Sequence, residues 1–170
     1  MKCKWRYGTP KGFDDLLMCE ENGALTGLWF EGSRDETMHS DDCRMVKGKT
    51  LSLVCQWLDE YFAGVPPDWM PPMRLDGATP FRRMVSEEMR RIPFGTIATY
   101  GDIAKRIAAK LGQSRMSAQA VGGAVGWNPI CIIIPCHRVI GANGALVGYG
   151  GGLTNKVALL AHERRHAMEG

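Results

Sequence analysis

The chain has 170 residues, 45% of them apolar, and its 21 Lys/Arg against 18 Asp/Glu leave a formal charge of +3. That length and apolar content bury a sizeable core, as one domain or two small ones, and exclude a chain too polar to fold. No stretch approaches the roughly 20 apolar residues of a membrane span, and Met1-Lys2-Cys3-Lys4-Trp5 lacks the apolar segment of a signal peptide, so a soluble cytoplasmic protein with no membrane partner is expected.

The net charge hides an asymmetry. Residues 1–77 hold nine Lys/Arg and thirteen Asp/Glu, or −4, whereas residues 78–170 hold twelve and five, or +7. A basic second half suits a polyanion, although a solvated basic surface explains the charge equally well. The six cysteines, at 3, 19, 43, 55, 131 and 136, lie far apart without a C-x-x-C pair, which fits reduced thiols. His39 with Cys43 supplies too few ligands for zinc. Cys3 and Cys19 could approach on neighbouring strands, but two such thiols more often serve as buried apolar groups, so no metal is expected.

In chain order, Leu16–Cys19 and Ala24–Phe30 alternate as strands on either side of Glu20-Glu21-Asn22-Gly23. The Asn-Gly pair supplies the positive φ angles that a tight hairpin demands, and a small antiparallel sheet is predicted. Thr50 is placed to cap a helix bearing Leu51, Val54, Cys55, Leu58 and Phe62 on one stripe, ended by Gly64 and Pro66-Pro67. From there to Gly77 the prolines read as a linker, which divides the chain into 1–77 and 78–170.

Thr79-Pro80 opens a second set of helices. Phe81, Met84, Val85, Met89 and Ile92 recur at helical spacing until Pro93. Thr99 caps a helix to Lys110 with Ile103, Ala104 and Ile107 inward, and Gly112 closes it. Ser117 caps another that runs to about Val125, and the two make a helix-turn-helix pattern. The second helix carries Gly122 and Gly123, each costing about 1 kcal/mol relative to alanine. Either tight helix packing or a helix thin enough for a nucleic-acid groove accounts for them. A last helix from Thr154 or Asn155 to about His166 is expected after a turn at 141–144 and the loop Gly148-Tyr149-Gly150-Gly151-Gly152. That loop has neither the Lys-Ser/Thr of a P-loop nor the spacing of a dinucleotide site.

Chemistry concentrates at Cys136-His137, in the block Pro135–Ile140 directly after the apolar run Ile130–Ile134. A thiol becomes a strong nucleophile only as a thiolate, and an adjacent imidazole is a common means to that end. Alone, either residue is more often structural, as are Tyr100 and Glu163.

The ordered blocks I-P-C-H-R-V-I (134–140), I-P-F-G-T-I-A-T-Y-G-D-I-A (92–104), A-V-G-G-A-V-G-W-N-P (120–129), Y-G-G-G-L (149–153) and L-L-A-H-E (159–163) closely resemble the methylated-DNA–protein-cysteine methyltransferases, the O6-alkylguanine-DNA alkyltransferases of direct DNA repair. Leu25–Phe30 resembles their first domain. The resemblance implies an α+β chain: a small ribonuclease-H-like amino-terminal sheet domain, then a mainly helical, winged-helix-like domain with the helix-turn-helix.

It also implies a catalytic set. Cys136 is the alkyl acceptor, His137 takes its proton through a water, and Glu163 orients the imidazole. Tyr100 protonates guanine N3, and Asn128 braces the turn between the second helix and the reactive strand. Facing DNA or the flipped base are Thr99, Ser117, Gln119, Ala120, Gly122, Gly123, Val139, Tyr149 and Gly150; Arg138 joins this group but is expected to hold structure. The main-chain carbonyls of Cys136 and Val139 accept from the guanine amino group.

Gln119 stands where some members carry an arginine finger. Gly150 stands where some carry serine, which implies a roomier pocket. The implied partner is double-stranded DNA containing O6-alkylguanine, with O4-alkylthymine as a second substrate and the preference between them not legible in the sequence; the DNA is bound through the minor groove by a monomer without cofactor. A non-catalytic damage-binding protein is the alternative, opposed by Cys136, and a Cys-His acyl hydrolase is a third class, for which no oxyanion hole is identifiable.

Overall fold

The computed structural model describes residues 1–39 and 43–169, apart from the side chain of His39, so the part of the zinc reading that rests on His39 lies outside the described residues. The fold is mixed α/β. Strands β1 (Lys2–Tyr7), β2 (Leu16–Glu21) and β3 (Ala24–Phe30) form an antiparallel meander. The Asn22-Gly23 turn between β2 and β3 has both residues at positive φ, 51° and 77°, as the sequence requires. After helix α1 (Arg34–His39), the two-residue strand β4 (Arg44–Met45) joins β1 in parallel, so the sheet runs β3-β2-β1-β4 and is mixed rather than wholly antiparallel.

Cys3 and Cys19 do not meet. The register pairs Cys3 with Glu20 and Lys4 with Cys19, which puts the two thiols on opposite faces. Cys3 enters the main core, whereas Cys19 joins Leu17 and Trp29 on the other face.

Helix α2 (Lys49–Phe62) covers the core side of the sheet through Leu51, Val54, Trp57, Leu58 and Tyr61. Thr50 does not cap it. Gly48 is the N-cap, and the Thr50 hydroxyl is buried and donates to the Gly23 carbonyl, which ties the helix start to the hairpin turn. The proline-rich segment is more than a spacer: the Leu25 N–H donates to the Pro72 carbonyl and the Arg74 N–H to the Leu25 carbonyl, so the chain continues the sheet past β3.

Helix α3 (Pro80–Arg90) begins at Thr79, whose side chain accepts from the Arg82 N–H. Two-residue strand β5 (Ala98–Thr99) leads into α4 (Tyr100–Leu111). Thr99 and Asp102 form a reciprocal capping box there, and left-handed Gly112 ends the helix. Helix α5 (Ala118–Trp127) starts at the Ser117 cap and runs two residues beyond the predicted end. Strand β6 (Val139–Ile140) pairs in parallel with β5, and α6 (Leu153–Glu169) closes the chain. It starts earlier than predicted. Asn155 caps nothing; its amide is buried and bonds Asp14 and the Gly151 carbonyl. One connected core draws Leu16, Met18 and Leu28 from the sheet together with Val85, Ile103, Val121, Ile130 and Leu159 from the second half.

The capping box fixes the backbone that presents Thr99 and Tyr100. Replacing Thr99 by Ala is expected to lower stability by about 1 kcal/mol, read as a lower urea midpoint with an unchanged slope.

Candidate active site

The segment that delivers Cys136 is not a strand. After Leu28 exchanges hydrogen bonds with Pro129 and Cys131, the chain makes two successive three-residue turns. The Ile133 N–H donates to the Cys131 carbonyl at 2.7 Å around Ile132, a β-branched residue at φ 66°, and the Cys136 N–H donates to the Ile134 carbonyl at 2.8 Å around Pro135. Asn128 holds this path together. Its amide donates to the Ile130 and Ile134 carbonyls at 3.1 and 3.0 Å and accepts from the Ile130 N–H at 3.1 Å. Cys136–Arg138 then form a single 3-10 turn.

Cys136 is 6% exposed and lies on a cavity of about 620 Å³. Thr99, Tyr100, Gln119, Gly122, Asn128, Tyr149 and Gly150, all predicted site residues, line the same cavity. The Cys136 sulfur lies 4.0 Å from the Tyr149 hydroxyl. Burial pushes the thiol above its ordinary range; the amide of Asn128 opposes this, Asp35 adds to it, and Tyr149 and Lys156 oppose it. The resting group is therefore a protonated thiol. Tyr100 is likewise raised, by burial and then by Cys136, so its hydroxyl keeps its proton.

Behind the thiol, His137 is wholly buried and its Nε2 bonds to Glu163 Oε2. Glu163 is a hub. Tyr61 donates to it at 2.8 Å, Arg138 Nε at 2.7 Å and the Gly95 N–H at 3.1 Å. Burial alone would raise this carboxyl, but His137 and Arg138 outweigh it and hold the group ionised, well below the usual carboxylate range. Burial lowers His137 against the pull of Glu163, leaving a neutral imidazole. A neutral ring that donates from Nε2 has its basic lone pair on Nδ1, which is buried and has no hydrogen-bond partner among the described residues. No direct bond between the imidazole and the Cys136 sulfur is present among the described residues.

The remaining predicted residues fall outside the cavity lining. Arg138 is buried against Glu163, the Ile92 carbonyl and the Phe94 ring, which is the structural position expected for it rather than a DNA-facing one. Val139 is fully buried, and its carbonyl accepts from Lys156 Nζ at 2.7 Å. Ser117 and Ala120 are exposed at the start of α5, and Gly123 is exposed on its outer face. The glycines of α5 do not answer to packing. A Cβ at Gly122 would make only ordinary contact with Tyr100, at 3.8 Å, and one at Gly123 would meet nothing within 4 Å.

Sequence reasoning missed the three charged residues of the cavity lining. Lys156 sits in the buried stripe of α6, with its ammonium 5.7 Å from the Tyr149 ring centroid. Arg34 and Asp35, from the first half of the chain, form part of the wall: the Asp35 N–H donates to the Gly150 carbonyl at 3.2 Å, and Arg34 donates to the Gly126 carbonyl at 2.8 Å. They also overturn the roomier-pocket expectation. A Cβ at Gly150 would stand 2.0 Å from Asp35 Oδ1 and 2.3 Å from Arg34 Nη2, so the space a side chain would use is already filled.

Fold and site together define a protein with a buried thiol on a cavity, backed by an imidazole–carboxylate pair. The family described as "6-O-methylguanine DNA methyltransferase, DNA binding domain" matches residues 80–165. A methylated-DNA–protein-cysteine methyltransferase of Salmonella typhimurium is 47% identical over 165 residues, covering 93% of each chain. One from Mycolicibacterium paratuberculosis is 48% identical over 110 residues, 65% of this chain and 63% of that protein. Among solved structures, Mycobacterium tuberculosis OGT in complex with DNA superposes with a TM-score of 0.78 at 35% identity, covering 96% of this chain and 94% of that one. The chain belongs to the methylated-DNA–protein-cysteine methyltransferase family.

Two outcomes follow from the geometry. A carboxyl that titrates lower folded than unfolded contributes stability that is complete above the ordinary carboxylate range and is lost as pH falls below about 4. Glu163→Gln is expected to cost about 3 kcal/mol at pH 7, because Arg138 keeps a buried charge without its partner, and the gap from the parent should narrow at pH 3; urea midpoints at the two pH values measure both. Gly150→Ser is expected to lower the melting temperature through overpacking of about 1–3 kcal/mol, and adding Asp35→Ala should recover much of the loss, as a double-mutant cycle would record.

Proposed function

We propose that this protein repairs DNA directly, by moving an alkyl group, chiefly methyl, from O6 of guanine to the Cys136 sulfur in one irreversible displacement that consumes the protein. The observation that carries this reading is the Cys136 sulfur in the lining of a cavity of about 620 Å³, roomy enough for a purine nucleotide, with the His137–Glu163–Arg138 array behind it. The sulfur forms a bond to the alkyl carbon as the carbon–O6 bond breaks. The thiol proton passes through a bridging water to His137, and Glu163 stabilises the imidazolium. The electron pair left on the base is neutralised by a proton that Tyr100 donates at guanine N3. The base reaches this depth only if its nucleotide rotates out of the stack.

DNA is the partner. Helices α4 and α5 present the exposed Ser117, Gln119, Ala120 and Gly123 beside the cavity mouth, and the absence of any internal need for Gly123 supports close approach by an outside surface, the minor groove. Gln119 fills the place of the rotated nucleotide without the charge of an arginine. The sheet order β3-β2-β1-β4, with β4 parallel to β1, supports a ribonuclease-H-like first domain over residues 1–77, and α3 to α5 with the β5–β6 pair support a winged-helix-like domain over 78–170. The protein acts as a monomer in the cytoplasm; among the described residues no helix is long and apolar enough to cross a membrane.

Incubation with a duplex carrying one O6-methylguanine is expected to raise the intact protein mass by one methyl, located on the Cys136 peptide. Cys136→Ala should bind the same duplex and gain nothing. A parent protein that binds without gaining mass would instead be a damage-binding protein, and a methyl found on Cys131 would move the acceptor.

A further inference from the structure

Cys19 and Cys43 stand apart from the acceptor site, on the sheet face opposite the main core. Cys19 lies on β2 with Leu17 and Trp29, and Cys43, immediately before β4, packs against the same small cluster. Their sulfur atoms are 2.7 Å apart. That separation is well inside the contact distance of two unbonded sulfurs and not far above the roughly 2.05 Å of a disulfide bond. Both are thiols in this structure. We infer that Cys19 and Cys43 form a redox pair, which a peroxide converts to a disulfide and a dithiol restores.

Access favours an ordered reaction. Cys19 is 5% exposed, whereas Cys43 is partly exposed and meets solvent first. Cys43 sulfur attacks one peroxide oxygen, the O–O bond breaks, and hydroxide leaves to become water as Cys43 becomes a sulfenic acid. Cys19 sulfur then attacks the Cys43 sulfur and expels its oxygen as a second water, so two thiols and one hydrogen peroxide give one disulfide and two waters. Cys19 also borders another cavity of about 280 Å³ with Lys2, Glu21, Trp29, Met38 and Trp127, which gives a small oxidant or reductant room beside that residue.

The bond would close a loop between two residues 24 positions apart, which contains α1. Among the described residues, the far end of this loop pairs with the sheet through Arg44 and Met45, both exposed. Its middle carries Arg34 and Asp35, which wall the acceptor cavity. Oxidation would therefore pin the segment that shapes the alkyl site without consuming Cys136. Reactivity of Cys136 and the state of this pair become separate properties of one chain.

The test uses the full chain as Cys136→Ser, which keeps the acceptor out of the redox chemistry. Treatment with one equivalent of hydrogen peroxide is expected to remove the mass of two hydrogens, to give a peptide pair joined through Cys19 and Cys43, and to raise the melting temperature by several degrees, all reversed by dithiothreitol. Adding Cys43→Ser should abolish the mass loss and the thermal shift. In the otherwise native chain, Cys43→Ser should leave methyl uptake unchanged, which also reports that the variant folds. Retention of both hydrogens, a bridge to Cys3 or Cys55, or a Cys43 that accumulates oxygen while Cys19 stays open to alkylation under denaturing conditions would each overturn the inference.

Discussion

The carboxylate of Glu163 is the point at which the two halves of this protein are joined electrically. It draws Tyr61 from α2, Gly95 from the turn before β5, and His137 and Arg138 from the 3-10 turn onto one residue of α6. A buried anion is tolerable only when its lone pairs are filled, and here four donors from three separate stretches fill them. Remove the charge and the imidazole loses both its orientation and the partner that would stabilise its protonated form. On the proposed reading, stability and chemistry therefore draw on the same oxygen atoms.

Around that centre the thiol is kept protonated and waiting. Burial dominates its titration, and the neighbours that would ease deprotonation, Asn128, Tyr149 and Lys156, do not fully offset it. A permanently ionised sulfur would react with any small electrophile and be spent. On the proposed reading, holding it neutral until a base fills the cavity would confine reactivity to that encounter, with the neutral His137 ring placed to accept a proton. The wall at Gly150 adds a second constraint. Because Asp35 and Arg34 occupy the space beside it, the first half of the chain takes part in shaping a cavity whose reactive group lies in the second half.

Much of this was legible in the residues. Asn22-Gly23, Thr79-Pro80, Thr99 with Gly112, and Ser117 set boundaries that the structure repeats, because caps and tight turns are decided by groups a few positions apart. Thr50 and Asn155 misled for the same reason in reverse: both have capping chemistry, but each found a better partner far away in sequence, the Gly23 carbonyl and Asp14. The ordered blocks located Cys136, His137, Asn128, Tyr100 and Tyr149. Arg34, Asp35 and Lys156 carried no local signal; an acid on a short helix or a lysine in an amphipathic one looks like surface until tertiary packing encloses it.

The path through Ile130–Pro135 explains why that packing matters so much. Ile132 is held at φ 66°, a conformation that costs a β-branched residue about 1–3 kcal/mol, more than the single turn bond from the Ile133 N–H to the Cys131 carbonyl offsets. Asn128 and the surrounding isoleucines impose it from outside. A synthetic peptide bearing Pro-Cys-His-Arg would consequently contain an ordinary cysteine, and grafting the block onto another scaffold would carry over the letters without the reactivity, since the sulfur owes its location to a bend that only this interior can enforce.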